Sequence, residues 1–516
     1  MTLNARFVPF FMHRIDRPRF CWTSRTNLND REPIAKARGL IRERLSHSQC
    51  EPPLPSYAAD QSAQVRVSPV PVSHARVLRL ALPFTFANLS TPLLGLADAA
   101  VIGRLGAAHL LGAIAAAAVI FDFIFWGFSF LRMGTSGLTA QALGRGDLIE
   151  QKATLLRALA TAAVLGLALV LLQVPIGAAG FTALGASPEV TEAARAYFNI
   201  RIWSAPFVFA NYVVLGTVTG RARTDLALAL QIAINLFNIL LNIWLVYGMA
   251  LGVRGSAMGT LIAEASGTLI GLFVLHRLEG RLFGLSWRLV FDRAKLVWMF
   301  GINRDIMIRS ASLIFAFAFF TSQGAKGGDV TLAANAILMN LFFISAYFLD
   351  GFATAAQQMC GQSVGARDAD GFRAAVRLTM FWSLAFAGAV ATAAFLIGPH
   401  FIDFISTNSD VREFARRYLG FAALTPLCGA VAFQFDGIFI GATWTQAMRN
   451  TMLAALALYI AAFYLLKPYG NAGLWTALLL FLLARGLGQA ALYRRSMART
   501  FPAAQSPAVA PVASAS

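Results

Sequence analysis

The sequence predicts an all-α polytopic membrane protein in which twelve transmembrane helices form two six-helix lobes related by a parallel repeat. Of the 516 residues, 57% are hydrophobic and only 13% are charged, whereas soluble domains carry about 25% charged residues. Twelve apolar runs follow one another along the chain. Short motifs of the first half also recur in the second half at one common offset, and self-similarity at a fixed distance indicates an internal duplication.

A basic segment, residues 1–76, precedes the first apolar run. It is rich in Arg, Pro and Ser and holds no long apolar stretch, so we expect a disordered leader. Its acidic residues argue against a transit peptide, and an over-long gene start is the alternative. The predicted divisions that follow are an N-lobe (77–279), a cytoplasmic linker (280–295), a C-lobe (296–497) and a disordered cytoplasmic tail (498–516).

Each apolar run is long enough to cross a bilayer, which takes about 20 helical residues. Several runs exceed that length, so we expect those helices to tilt or to extend beyond the membrane. The predicted spans are 79–102, 110–142, 154–179, 193–220, 225–248, 252–278, 296–323, 333–363, 376–399, 412–440, 444–467 and 471–493.

Basic residues are concentrated in the loops that follow the even-numbered runs. The positive-inside rule places these loops, and both termini, in the cytoplasm. We therefore attribute the net charge of +18 mainly to the positive-inside rule. Because the chain has no basic stripe with interleaved aromatic residues, we expect no nucleic-acid partner. Examples of these basic residues are Arg145, Arg221, Arg281, Arg367, Arg449 and Arg495.

The repeat consists of two motifs. The pattern QxxGxxD occurs at Gln141–Asp147 and again at Gln362–Asp368, and the pair Gly216–Gly220 recurs as Gly437–Gly441. Both recurrences have the same offset along the chain, called here the repeat offset. Since each unit contains six spans, the two copies face the same way, and such halves can rock around a central cleft. Paired small residues also allow helices to pack closely.

The first apolar run contains one acid, Asp98. An ionisable side chain costs roughly 2.5–3.5 kcal/mol at the centre of a spanning helix, so it is a candidate functional group. Asn88, Thr91 and Asp98 share one helix face, and Pro92 is expected to bend the helix between them. The alternative is that Asp98 lies at the helix end and contacts water.

The fifth run carries Asn235, Asn238 and Asn242 at i, i+3 and i+7, which places all three on one helix face. Amides both donate and accept hydrogen bonds. The row can therefore hold a carboxylate or a chain of waters, or it can join two helices. We predict that these three side chains, with Asp98, form the cation-coupling site.

The first-half candidates for lining a substrate cavity are Asn88, Thr91, Asp122, Arg132 and Glu264. Glu264 lies near the middle of the sixth run and is the main rival to Asp98 as proton carrier. Arg132 lies deep in the second run and is a candidate counter-ion of Asp122 or of Asp98.

The second half offers Asp350 and Asp436 as lone acids in the eighth and tenth runs, where either can line a cavity. Asp305 and Arg309 are at i and i+4, a spacing that favours a pair within one helix.

Several function classes are excluded or disfavoured. The four cysteines (Cys21, Cys50, Cys360 and Cys428) are scattered, with no CxxC pair, so neither a disulfide framework nor a zinc site is implied. No GxxxxGK[ST] motif is present, which favours an ion gradient over ATP as the energy source. HExxH and paired catalytic acids are also absent. We expect no enzyme activity, no metal site, and no cofactor other than H⁺ or Na⁺ as the coupling ion.

Several stretches resemble the multidrug and toxic compound extrusion (MATE) family, most of all its bacterial DinF branch. These are LALPFTFANLSTPLLGLADAAVIGRLG, FDFIFWGFSFLRMGTSGLTAQALGRGD, QIAINLFNILLNIWLVYG and YFLDGFATAAQQMCGQSVGARD. The resemblance covers about residues 77–497 and implies two lobes around a V-shaped cleft. It also implies export of drugs in exchange for H⁺ or Na⁺, with Asp98 as the coupling acid. Some relatives carry a second acid where this chain has Asn242, a departure that favours H⁺.

The expected function is secondary active efflux of lipophilic or cationic compounds in exchange for H⁺, by alternating access in the bacterial inner membrane. Protonation of Asp98 would let the first helix repack around Pro92 and expel the substrate. We expect a monomer whose partners are an amphiphilic or cationic small molecule and the lipid bilayer. The alternatives are a flippase for a lipid-linked precursor, a membrane-embedded enzyme, or a channel.

Overall fold

The structure, a computed structural model, describes residues 72–104, 108–185, 187–280 and 284–502. Within these ranges the chain is helical and contains no β-strand. The predicted leader up to residue 71 and the predicted tail from residue 503 lie outside the described residues.

The first half of the described chain forms nine helices. They are α1 (His74–Gly103), α2 (Ala108–Gly127), α3 (Phe130–Gly144), α4 (Leu148–Leu171), α5 (Gln173–Leu184), α6 (Pro188–Arg201), α7 (Ala205–Gly220), α8 (Thr224–Ile243) and α9 (Gly252–Glu279). A 3₁₀ turn (Ile202–Ser204) joins α6 to α7, and a π-helical turn (Trp244–Gly248) follows α8.

The second half of the described chain forms seven helices, the first of them a single turn. They are α10 (Trp287–Val290), α11 (Arg293–Ala325), α12 (Asp329–Gly365), α13 (Ala369–Ile405), α14 (Ser409–Gly441), α15 (Thr445–Leu466) and α16 (Gly470–Thr500). A 3₁₀ turn (Lys467–Tyr469) joins α15 to α16.

By length and composition, eleven helical stretches of the described chain can cross a membrane. The last of these, Thr445–Thr500, contains both α15 and α16, which pack against each other. Gly470 between them adopts a positive φ of 59°, which reverses the chain direction. The predicted twelve-span, two-lobe fold is confirmed.

The structure differs from the predicted spans at several boundaries. The second span is two helices rather than one, because α2 ends at Gly127 and α3 begins at Phe130. At this break the N–H groups of Phe128 and Ser129 bond to carbonyls three residues earlier, which tightens the turn. The third span divides into α4 and α5 at Leu172, and the fourth divides into α6 and α7 at the 3₁₀ turn Ile202–Ser204.

Two helices extend beyond the predicted divisions of the chain. α1 begins at His74, inside the segment assigned to the leader, and α16 continues to Thr500, inside the segment assigned to the tail. The linker packs against α4, where Arg157 donates to the carbonyls of Leu289 and Val290 at 2.8 Å each.

The duplication appears as equivalent helix contacts in the two lobes. Gly216 on α7 lies against the backbone of Arg132 on α3. At the repeat offset, Gly437 on α14 lies against the backbone of Ala353 on α12. One turn further along, the same relation joins Gly220 to Ser136 and Gly441 to Gln357. Small residues thus let the same two helices approach in each lobe, which confirms the predicted repeat.

We expect Gly437→Ala to lower the stability of the C-lobe. An added Cβ would overlap the carbonyl oxygen of Ala353, so α12 and α14 must separate, and such overpacking typically costs about 1–3 kcal/mol. Thermal unfolding in detergent should show a lower Tm. Gly420→Ala, on the same helix but with no atom within 4 Å of the new Cβ, is the matched control and should not lower it. Equal shifts for both variants would contradict the close contact.

Candidate transport site

The two QxxGxxD turns meet at one end of the bundle. Gly144 lies against the backbone of Gln362, and Gly365 lies against the backbone of Gln141. The contact is reciprocal, since each glycine faces the first residue of the other motif. Side chains add to it: Gln141 donates to the Gly441 carbonyl at 2.9 Å, and Arg76 donates to Gln362 at 2.7 Å. The two lobes are therefore closed together at this end.

Beyond the closed end lies a central cavity that is lined by both lobes. Its charged lining residues are Arg132 from the N-lobe and Arg309, Asp350 and Asp436 from the C-lobe. Apolar side chains such as Phe84 and Phe433 complete the wall and suit an apolar ligand.

Asn88 connects the two lobes across this cavity. Its Nδ2 donates to the Asp350 carboxylate at 2.9 Å, and its Oδ1 lies 3.4 Å from Arg132 Nη1. Arg132 in turn pairs with Asp350 at 3.8 Å and stacks over the Phe84 ring. The counter-ion of Arg132 is therefore Asp350, whereas the sequence suggested Asp122 or Asp98.

Pro92 lies inside α1, one turn after Asn88. Because proline has no N–H, the Asn88 carbonyl loses its normal helical donor, and the helix is locally easier to deform. α1 is nevertheless continuous from His74 to Gly103. The side chain of Thr91 lies outside the described residues.

Asp98 is buried, with 8% of its surface exposed, although it lies five residues before the end of α1. Its carboxylate accepts a hydrogen bond of 2.5 Å from Asn242 Nδ2 on α8. α1 and α8 run parallel and are joined along their length, since Asn235 donates to Ser90 at 2.9 Å and Tyr247 donates to the Val101 carbonyl at 2.5 Å.

The three asparagines of α8 all lie on its buried side, and two of them bond to α1. Asn238 is 1% exposed, and its Oδ1 has no hydrogen-bond partner among the described residues; the same holds for Oδ1 of Asn242. Two amide oxygens on this face thus remain unused. The role of these residues in cation coupling stays a prediction.

Two further acids of the N-lobe, Glu264 and Asp122, are candidates from the sequence. Glu264 on α9 accepts from Asn211 Nδ2 at 2.6 Å, and Asp122 on α2 is exposed. Both acids, together with Asp98, are close enough to interact electrostatically with Arg201. In the N-lobe, amides thus hold two of these three acids, Asp98 and Glu264.

In the C-lobe, by contrast, two arginines hold one acid. Asp436 is buried and accepts from Arg309, from Arg485 at 2.7 Å, and from Gln489 at 2.7 Å. Asp436 is therefore not a lone acid. Asp305 does not pair with Arg309, as its spacing suggested, but with Arg304 at 3.1 Å and with Arg449 at 2.7 Å.

The repeat relates these two arrangements. Arg485 lies at the repeat offset from Glu264, and Gln489 lies at the same offset from Thr268. Glu264 bonds to a residue of α7, and Arg485 bonds to a residue of α14, which is the equivalent helix in the C-lobe. The duplicated position carries an acid in the N-lobe and a base in the C-lobe, so the two lobes differ in the sign of the charge at this position.

We expect Asp436→Asn to destabilise the protein strongly. The change leaves Arg309 and Arg485 buried without a counter-charge, and breaking a buried ion pair costs about 3–5 kcal/mol. Thermal unfolding should show a large decrease in Tm. Asp403→Asn, at a partly exposed acid that pairs with Arg416, should change Tm little. A Tm for Asp436→Asn equal to that of the wild type would contradict the buried triad.

Sequence reasoning missed Asn211, Arg485 and Gln489. The sequence did hold a signal for the last two, since they lie at the repeat offset from polar residues of the sixth span. Within the described ranges, no three His, Cys, Asp or Glu side chains are grouped so that they could hold a metal ion.

Comparisons with known proteins match this architecture. The MatE family matches residues 83–244 and 306–465, one region in each lobe. The chain is 39% identical to DNA damage-inducible protein F of Escherichia coli (strain K12), over 81% of this chain and 91% of that protein. It is 26% identical to the probable multidrug resistance protein NorM of Rhizobium meliloti (strain 1021), over 80% of this chain and 91% of that protein.

Among solved structures, the fold is similar to the outward-facing conformation of a multidrug resistance MATE family transporter of the MOP superfamily. The TM-score is 0.72 at 20% identity, with 85% of this chain and 99% of that chain covered. The two lobes and central cavity are those of a membrane transporter.

The chain belongs to the MATE family, as its sequence motifs suggested. It is a multi-pass membrane protein whose relatives are multidrug efflux transporters, and members of this family bind small molecules and are not enzymes.

Proposed function

We propose that this protein is a proton-driven antiporter that exports lipophilic, amphiphilic compounds across the bacterial inner membrane by alternating access. The observation that carries the proposal is the burial of Asp98 against a single amide of α8, with no basic side chain of the described chain in direct contact. An ionisable group in a spanning helix is a functional candidate by default.

The surroundings of Asp98 suit both of its protonation states. The ionised carboxylate accepts from Asn242 Nδ2. After a half-turn of the amide, Asn242 Oδ1, which has no partner now, would accept from the protonated acid. A metal cation instead requires several oxygen ligands, whereas Asp98 is the one carboxylate at this contact. These features favour H⁺ over Na⁺.

α1 links the proton site to the cavity. Asp98 lies near one end of the helix and Asn88, which contacts the opposite lobe, lies nearer its middle, with Pro92 between them. Protonation removes the charge of Asp98, so α1 can repack and shift Asn88 away from Asp350. The flux of substrate and that of protons are coupled only if each binds the two conformations with different affinity.

The positive-inside rule assigns the end that carries the QxxGxxD turns to the cytoplasm. Because the lobes are in contact at this cytoplasmic end, we assign the conformation to an outward-facing state. Both termini are then cytoplasmic. One chain supplies both walls of the cavity, so a monomer is sufficient for transport.

The test is export of ethidium, a lipophilic cation, from proteoliposomes under an imposed pH gradient or an imposed Na⁺ gradient. We expect the pH gradient alone to drive export. Export driven by the Na⁺ gradient would show that Na⁺, and not H⁺, is the coupling ion. If folded protein moved ethidium under neither gradient, the antiporter proposal would be wrong and a flippase for a lipid-linked precursor would become the better interpretation.

A further inference from the structure

We propose that Arg309, released from Asp436, binds the anionic group of an amphiphilic compound in the central cavity. The proposal rests on the export function above and names the chemistry of one class of substrate. The groups involved, called here the C-lobe arginine site, are Arg309, Asp436, Arg485 and Gln489.

The first observation is an excess of positive charge. Arg132 and Arg309 line the cavity, and Arg485 lies directly behind Asp436. These three arginines face only two acids, Asp350 and Asp436. Buried charges are normally balanced by partners, so the cavity has one cation more than its own acids neutralise. A bound anion would supply the missing charge.

The second observation is that Asp436 has two donors besides Arg309. Arg485 and Gln489 would continue to donate to the two carboxylate oxygens, one each. Release of Arg309 therefore leaves a neutral, hydrogen-bonded pair rather than an isolated buried charge, which is the costly outcome.

The third observation concerns unused donors. Arg309 is 6% exposed and Arg485 is 1% exposed, yet Nε of both side chains and Nη1 of Arg485 have no hydrogen-bond partner in the part of the chain that the structure describes. A guanidinium group binds a carboxylate through two parallel hydrogen bonds. The Nε and one Nη of Arg309 form one such pair of donors.

The remaining wall of the cavity fits the rest of an amphiphile. Phe84, Met133, Phe433 and Ile440 line the same space and offer an apolar surface to a hydrocarbon or aromatic body. The expected ligand class is a monoanionic amphiphile that carries a carboxylate or sulfonate. The exchange of acid for base between Glu264 and Arg485 agrees with a division in which the N-lobe binds the proton and the C-lobe binds the anion.

The test is equilibrium binding of dansylglycine and of its uncharged methyl ester to the full-length protein in detergent, followed by dansyl fluorescence. The wild type should bind the acid at least tenfold more tightly than the ester. Arg309→Gln should abolish this difference and leave the ester affinity unchanged. Arg309→Lys keeps the charge but loses the paired donors, so it should retain part of the difference. Arg416→Gln, a partly exposed arginine paired with Asp403, should behave as wild type.

Equal affinity of the wild type for acid and ester would overturn the inference, whether or not any variant folds. Retention of the full acid preference by Arg309→Gln would also overturn it. The ethidium assay separates this inference from the export function. If a pH gradient drives ethidium export but the affinities for the acid and the ester are equal, only the anion site is refuted. An acid–ester difference without gradient-driven export defeats the antiporter alone.

Discussion

Asp98→Asn is expected to reduce proton-driven ethidium export at least tenfold, to the level of protein-free liposomes. Asparagine has nearly the same shape as aspartate and can still bond to Asn242, but it cannot take up or release a proton. The loss should therefore arise in coupling and not in folding. The measurement is the initial rate of export under an imposed pH gradient, with Tm measured in parallel.

Two variants control this experiment. Asp370→Asn removes an acid whose side chain is 91% exposed and should leave export unchanged. Glu264→Gln tests the rival acid, which is held by Asn211 in the same lobe. If Asp98→Asn exported at the wild-type rate while Glu264→Gln was inactive, proton coupling would belong to Glu264.

Gly365→Ala is expected to prevent closure of the end that carries the QxxGxxD turns and to reduce transport at least tenfold. The new Cβ would overlap the carbonyl oxygen of Gln141 in the other lobe. The contact joins backbone to backbone, so no side-chain rotation can relieve it. Each lobe should keep its own packing, because the overlap arises only between lobes. The variant should therefore accumulate in the state that is open at this end.

The measurement uses a cysteine in place of Ser136, which lines the cavity, in a cysteine-free background. A membrane-impermeant maleimide applied from the side of the QxxGxxD turns should label it several-fold faster in Gly365→Ala than in the parent. Gly388→Ala, where nothing lies within 4 Å of the new Cβ, is the matched control. Unchanged labelling together with unchanged transport would show that the lobes do not close here during transport.

The spans, the two lobes and the duplication were predictable because their determinants are local in the chain. Apolar runs of spanning length, small residues at fixed spacing and a common offset require no knowledge of tertiary contacts. The spacing of Asn235, Asn238 and Asn242 likewise fixes their common helix face, and the structure places all three on the buried side of α8.

The pairing of charges could not be predicted, because it depends on which helices meet. Asp305 and Arg309 have ideal spacing for a pair within one helix, yet each has a partner on a different helix, Arg449 and Asp436 respectively. Arg132 pairs with Asp350, which lies in the opposite lobe and far away in sequence. In a low-dielectric interior, tertiary partners of this kind outweigh the contribution of local spacing, which is about 0.2–0.5 kcal/mol.

The reciprocal contact between the two QxxGxxD turns has the geometry of an isologous interface, in which residue i meets j and j meets i. A single six-helix unit carrying this motif could pair with an identical copy around a two-fold axis along the membrane normal. In such a homodimer, every charge change would occur on both sides of the axis at once. Fusion into one chain removes that constraint, and the acid-to-base difference between Glu264 and Arg485 is an asymmetry that a homodimer cannot carry.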